Sequence, residues 1–257
     1  MPELGLLLAA GSGSLVGFTL ALVGGGGSIL AVPLLVYVVG MSNPHIAIGT
    51  SAVGVAVNAG ISLIGRARAG TVKWRCVTVF TALGMTGALL GAWLGKQIDG
   101  QALLALFALL MIAVGFAMLR GGEREGEPGV RLSRDNFPKL AGAGLGTGLV
   151  SGFFGIGGGF LIVPGLIGAT AMPLINAIGS SLVSVAAFGL TTATSYALSG
   201  LVDWWLAGLF IAGGVLGGLG GISLGKQLAD RKRALSLTFA GVVIVVGVYV
   251  MAAALLR

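Results

Sequence analysis

The stretch GGGGSILAVP, Gly24 to Pro33, places four consecutive glycines inside an apolar chain, and it returns as GIGGGFLIVP, Gly155 to Pro164. Apart from proline, glycine is the poorest helix former. A sequence that carries such a run twice, each time ahead of a short apolar segment, repeats a device. What the device does depends on the solvent around it.

That solvent is lipid. Of 257 residues, 56% are hydrophobic and 9% charged, with a mean hydropathy of +1.04. Soluble domains carry about a quarter charged residues, so this chain has too few polar side chains to coat a globule. Apolar runs near the roughly 20 residues needed to cross a bilayer fill almost the whole length. They do not alternate as the strands of a membrane barrel would. The fold class expected is an all-α integral membrane protein. The net charge of +7 sits in short gaps between apolar runs, where it orients a membrane protein, so nucleic acid is not an expected partner. The single cysteine, Cys76, excludes an intramolecular disulfide and a cysteine-based zinc cluster, and no metal or cofactor is expected. The start, MPELGLLLAAGSGS, has no basic region of the kind that precedes a cleaved signal sequence.

Polar breaks divide the chain into apolar segments at about 4–23, 28–40, 44–65, 74–95 and 101–119, then 140–154, 159–171, 174–198, 204–225 and 234–255. Asn43-Pro44 offers a helix cap followed by a first-turn proline. The expected organisation is a first membrane repeat over 1–120, a cytoplasmic linker over 121–139 and a second membrane repeat over 140–257.

The two halves match. Around the glycine runs, position n pairs with n+131, so Val32-Pro33 matches Val163-Pro164. Further on the offset is 130, and AIGTS at Ala47–Ser51 matches AIGSS at Ala177–Ser181. Gly70 and Trp74 match Gly200 and Trp204, and LGKQ at Leu94–Gln97 matches Leu224–Gln227. Basic residues collect after the third segment of the first half, at Arg66, Arg68, Lys73 and Arg75, but one loop later in the second half, at Lys226, Arg231, Lys232 and Arg233. If basic loops face the cytoplasm, equivalent loops lie on opposite sides of the membrane. The expectation is therefore two inverted five-segment repeats, a design of secondary transporters with the site near the midplane. Both termini then lie outside. Three full crossings plus a re-entrant hairpin in each half fit the charges equally well.

The segment after each glycine run is too short to span. Ser28 to Gly40 covers roughly 20 Å as a helix, against about 30 Å of hydrocarbon. A helix that begins inside the membrane exposes unpaired N–H groups and a partial positive charge, which together bind anions. Glycine allows the turn and the close approach of a ligand. Close helix packing is the other use of such glycines. It is the preferred reading for Gly87, Gly91 and Gly95 and for Gly213, Gly217, Gly221 and Gly225, which repeat every four residues on the fourth segment of each half. GGISLGK, Gly220 to Lys226, falls short of a phosphate loop because Gln227 follows where Ser or Thr would hold magnesium.

The paired glycine motifs ending in Val32-Pro33 and Val163-Pro164, the AIGTS and AIGSS stretches, and Gly95-Lys96-Gln97 with Gly225-Lys226-Gln227 resemble the sulfite exporter TauE/SafE family. The resemblance implies movement of a sulfur-containing anion, such as sulfite or sulfoacetate, usually as export across a bacterial inner membrane. Members differ in substrate. An anion channel or an importer of a related anion is the alternative reading. Signatures of an intramembrane enzyme are missing, so no catalysis is expected.

The candidate substrate-binding residues are Gly25, Gly26, Gly27 and Ser28 at the first run and Gly157, Gly158 and Gly159 at the second, with Thr50, Ser51, Ser180 and Ser181 about two turns into the third helices, and Asn58 two turns further on. Hydroxyls and amides can donate to an oxyanion without burying a charge; a hydroxyl can equally bond its own helix. Thr191, Thr192, Thr194 and Ser195 form a lesser polar patch. Asn43 reads as a cap and His45, the only histidine, as an interfacial side chain. Lys73, Arg75, Lys96 and Lys226 read as orientation signals. No Asp or Glu falls at mid-membrane depth, which argues against carboxylate-based proton coupling. The expected partners are a small anion and the bilayer; association into a homo-oligomer stays open.

Overall fold

The computed structural model describes residues 2–120, 132–133, 136–227 and 232–256, and the side chains of these except at 2–4, 23 and 223–236. Most of the expected 121–139 linker lies outside the described residues, as do Asp230 and Arg231 and the side chains of Glu3, Lys226, Gln227, Lys232 and Arg233. The elements are α1 (Pro2–Val23), α2 (Gly24–Val38), α3 (Pro44–Arg68), α4 (Trp74–Gly95), α5 (Gly100–Arg120), α6 (Phe137–Phe154), α7 (Gly159–Thr170), α8 (Leu174–Ala197), α9 (Trp204–Gln227) and α10 (Lys232–Leu255). The described residues contain helices and no strand. Among the described residues, seven helices are long and apolar enough to cross a membrane: α1, α3, α4, α5, α8, α9 and α10. The 12 residues of α7 reach only about 18 Å.

Local chemistry sets the helix ends. The Asn43 Oδ1 accepts the N–H groups of His45 at 2.9 Å and Ile46 at 3.4 Å, and Pro44 takes the first helical position of α3, where no donor is needed. Left-handed Gly70 and Gly200 follow α3 and α8 in the two halves. In α2 the glycines wind as a 3-10 helix over Gly24–Leu30, and after Pro33 the chain widens to a π turn over Leu34–Val38. Gly220 to Gln227, the near-match to a phosphate loop, lies on helix α9.

Small residues bring the helices together. α4 packs against α6 along Gly87, Gly91 and Gly95, where a methyl group would overlap the carbonyls of Leu145, Leu149 and Phe153. α9 packs against α1 in the same way, with Gly213, Gly217 and Gly221 on Ala10, Ser14 and Phe18. In both pairs residue numbers rise together, so the helices run parallel. The fourth helix of each half thus crosses the first helix of the other, as the glycine spacing leads one to expect.

Equivalent helices meet head to tail. The Lys73 N–H, after the end of α3, donates to the Ser180 Oγ near the start of α8 at 2.9 Å. Reciprocally, the Asp203 N–H, after the end of α8, donates to the Thr50 Oγ1 near the start of α3 at 2.9 Å. α3 and α8 are therefore antiparallel. So are α5 and α10, where Gly115 lies on Ile244 and Ala240, and Gly247 on Ile112 and Met111. Trp74, Trp204 and Trp205 at the starts of α4 and α9 are exposed, the placement aromatic side chains take at a membrane surface.

Candidate functional site

Each glycine run is the tip of a helical hairpin. α1 stops at Val23, Gly24 turns the chain with φ +77°, and α2 folds back so that Gly27 lies against the backbone of Thr19 and Leu20. α6 stops at Phe154; Gly155, Gly157 and Gly158 all hold left-handed φ near +65°, and the chain folds back so that Gly158 lies against Ser151. An L-residue pays a steric penalty in this conformation and glycine does not. The two tips also brace the third helix of the opposite half. Gly24 packs on Ile178 of α8, and Gly155 on Ile48 of α3.

The tips meet. The backbone of Gly25 lies on that of Gly159, so closely that a methyl group on either would overlap the other. Gly157 fits between the Val55 and Val185 side chains. Val55 and Val185 are pseudo-equivalent and sit midway along α3 and α8. All residues from Gly24 to Leu30 are buried, as are Gly155 to Gly159. The junction is closed in this conformation.

The hydroxyls divide in two. Thr50 and Ser180 each accept a loop N–H, from Asp203 and Lys73, and so tie the end of one third helix to the start of the other. Ser51 and Ser181 each donate to their own helix, to the Ile48 carbonyl at 2.9 Å and the Ile178 carbonyl at 2.8 Å. Of these four, Ser181 reaches a tip: its Oγ accepts the Gly25 N–H at 3.5 Å. Ser28 donates to the Gly25 carbonyl at 2.8 Å, closing the first tip on itself. Gly26 is buried in the same turn.

Asn58 lies one turn beyond Val55 on α3, where α3 meets α9. Its side chain is 2% exposed, abuts Gly214, and finds no hydrogen-bond partner for either amide atom. The equivalent position in the second half is Phe188, which abuts Gly84, the equivalent of Gly214, and stacks on Phe80 with ring centres 6.3 Å apart. Thr191 and Thr194 bond their own helix at Ala187 and Leu190. The Lys96 ammonium, expected to act by orientation, donates to the Ser195 carbonyl and Oγ and to the Ser199 Oγ at 3.0–3.1 Å, capping the C-terminus of α8.

Sequence reasoning passed over Ser151. It is fully buried on α6, and its Oγ, without a partner, faces Gly158. The signal lay in the repeat alignment, where the offset of 131 sets Ser151 opposite Leu20. A search for matching residues discards such a pair.

Among the described residues, seven helices long and apolar enough to cross a membrane, together with two broken hairpins of which α1 is one arm, define a multi-pass helical membrane protein. The particular family follows from comparison: the model of the sulfite exporter TauE/SafE family matches residues 9–250, and the chain belongs to this family of membrane transporters. A probable membrane transporter protein of Xylella fastidiosa (strain Temecula1) is 53% identical over 249 residues, covering 96% of this chain and 95% of its own length. The probable membrane transporter protein YunE of Bacillus subtilis is 25% identical over 240 residues, covering 85% of this chain and 88% of its own length. No solved structure matches the chain.

Proposed function

We propose that this transporter is a secondary carrier for a small sulfur-containing oxyanion, sulfite or an organosulfonate such as sulfoacetate, exported across the bacterial inner membrane by alternating access. The observation that carries the reading is the contact of the two glycine tips, Gly25 on Gly159, at the middle of α3 and α8. Tips of this kind present backbone N–H groups to an anion without a fixed charge. The elements forming the junction bring no acidic side chain to it, and a buried carboxylate there would repel the substrate strongly. Each negative charge that leaves an inside-negative cell releases about 2.3 kcal/mol per 100 mV, so export needs no nucleotide.

Inverted repeats supply the alternation. The antiparallel pairing of α3 with α8 and of α5 with α10, beside the parallel pairing of α4 with α6 and of α1 with α9, supports a pseudo-two-fold axis lying in the membrane plane. In this reading residues 1–120 and 140–257 are the two repeats, 121–139 is the cytoplasmic linker, and both termini are periplasmic. The substrate-binding set is Gly25, Gly26, Gly27, Ser28, Gly157, Gly158 and Gly159 with Ser51, Ser181 and Asn58, while Thr50 and Ser180 hold the third helices in register beside it.

Uptake of radiolabelled sulfite, sulfoacetate and sulfate into proteoliposomes, with and without a pH gradient, tests the proposal. Saturable sulfite or sulfoacetate flux, accelerated by unlabelled anion on the far side, is the expected result. Discrete single-channel currents for the same anions indicate a channel instead. Flux of none of them removes the substrate assignment.

A further inference from the structure

We propose that Ser151 is a substrate-binding residue, and that its hydroxyl and the first-turn N–H groups of α7 form an oxyanion subsite present on the second tip and not on the first. The inference rests on the oxyanion-carrier reading and deepens it, since it places the sulfite or sulfonate oxygens on one of two pseudo-equivalent tips.

The donors are already in position. The Gly158 carbonyl accepts the N–H groups of Leu161 at 2.9 Å and Ile162 at 3.1 Å. The N–H groups of Gly159 and Phe160, at the head of the 12-residue α7, have no acceptor within the helix. Gly158 is the N-cap, left-handed and without a side chain to cap them. The Ser151 Oγ lies 2.8 Å from the position a side chain would take at Gly158, so the glycine leaves this hydroxyl open to the helix terminus. Ser151 is 0% exposed and its Oγ has no partner. Buried hydroxyls are nearly always paired, and the group that would complete this one is an acceptor. A helix N-terminus favours that acceptor when it is negative.

The first tip lacks each of these features. Leu20 stands in the place of Ser151. The neighbouring Thr19, whose hydroxyl lies close to Gly27, bonds the Leu15 carbonyl at 2.9 Å and the Val16 carbonyl at 3.0 Å of its own helix. The glycines there are wound into a 3-10 helix, Ser28 donates to the Gly25 carbonyl, and the Gly25 N–H is directed to Ser181. The Thr19 and Ser28 hydroxyls and the Gly25 N–H are thus used within the protein. Because the Gly25 backbone lies on Gly159, an anion reaches the subsite only when the tips part. Binding is thereby coupled to movement of one hairpin against the other.

The test is the concentration dependence of sulfite uptake into proteoliposomes for wild type, Ser151→Ala, Ser151→Cys and Ser12→Ala. Ser151→Ala is expected to raise the half-saturation concentration about tenfold or more, the effect of losing one hydrogen bond to a charged ligand, with maximal rate and melting temperature close to wild type. Ser12 is another buried hydroxyl without a partner, midway along α1 rather than at its tip end, and Ser12→Ala is expected to leave half-saturation unchanged. Wild-type half-saturation in a folded Ser151→Ala overturns the subsite and leaves the carrier standing. If the alanine variant does not fold, Ser151→Cys keeps the volume with a weaker donor, and an unchanged half-saturation there overturns the subsite equally. A wild-type protein that moves no sulfur oxyanion removes the carrier reading and the subsite together.

Discussion

At the first glycine tip Thr19 stands beside Gly27 with its hydroxyl bonded to carbonyls of α1; at the second, Ser151 stands beside Gly158 with its hydroxyl turned to the tip and unpaired. The first run winds into a 3-10 helix directly after α1, whereas the second opens into a turn with three left-handed glycines before α7 begins. Near-identical motifs thus give one tip closed on itself and one with an unpaired hydroxyl beside a helix N-terminus. The same inequality recurs deeper in the bundle, where Asn58 faces Gly214 and its counterpart Phe188 faces Gly84. The two halves match closely in sequence, and single differences at matched positions distinguish the two tips.

The largest expected effect comes from forcing the tips apart. Gly159→Leu places a side chain on the Gly25 backbone and keeps the two tips from closing on each other. Sulfite flux is expected to fall below detection, and Gly25→Leu should do the same from the other side. Normal flux in either variant would show that the tips need not touch.

Exchanging the unequal pair comes next. Phe188→Asn removes a stacked ring from a fully buried site and is expected to destabilise the protein by about 3–5 kcal/mol, the range for losing a buried aromatic side chain. Asn58→Leu removes two buried amide atoms that have no partner and is expected to raise stability by about 1–3 kcal/mol, read as a higher midpoint of thermal or denaturant unfolding. If Asn58 also contacts the anion as proposed, sulfite flux falls in the same variant. A gain in stability with unchanged flux assigns Asn58 to packing alone.

The smallest effect tests where the halves are alike. Thr50→Ala and Ser180→Ala each remove the acceptor of one loop N–H at the same 2.9 Å distance. Each is expected to cost about 1 kcal/mol, and the two costs should agree to within a few tenths. A clear difference between them would show that the asymmetry reaches the third helices as well.

Much of this architecture was legible in local signals. The span 74–95 coincides with α4, and the breaks at Asn43-Pro44 and around Gly155 fall where the helices change. Hydropathy, caps and left-handed turns act over a few residues, so a window of sequence contains their causes. Two boundaries moved for reasons such a window lacks. α6 begins at Phe137, ahead of the expected 140, because Pro138 suits the first turn of a helix even though Lys139 makes the stretch read as polar. α2 begins at Gly24, ahead of the expected 28, because contact with α1 and α7 holds a glycine run in a helical form that its propensity opposes.

By itself the sequence determined the lipid solvent, the likeness of the two halves, the places where helices break and the glycine stripes on which they cross, since each depends on composition, spacing or neighbouring residues. Tertiary structure alone decided which tip holds an unpaired hydroxyl, that Thr50 and Ser180 receive N–H groups 153 and 107 residues away, and that Ser151 faces a helix terminus. The reason is that a hydroxyl or a backbone N–H takes whatever partner packing brings within about 3 Å, and for Thr50, Ser180 and the Gly25 N–H that partner comes from the other half of the chain.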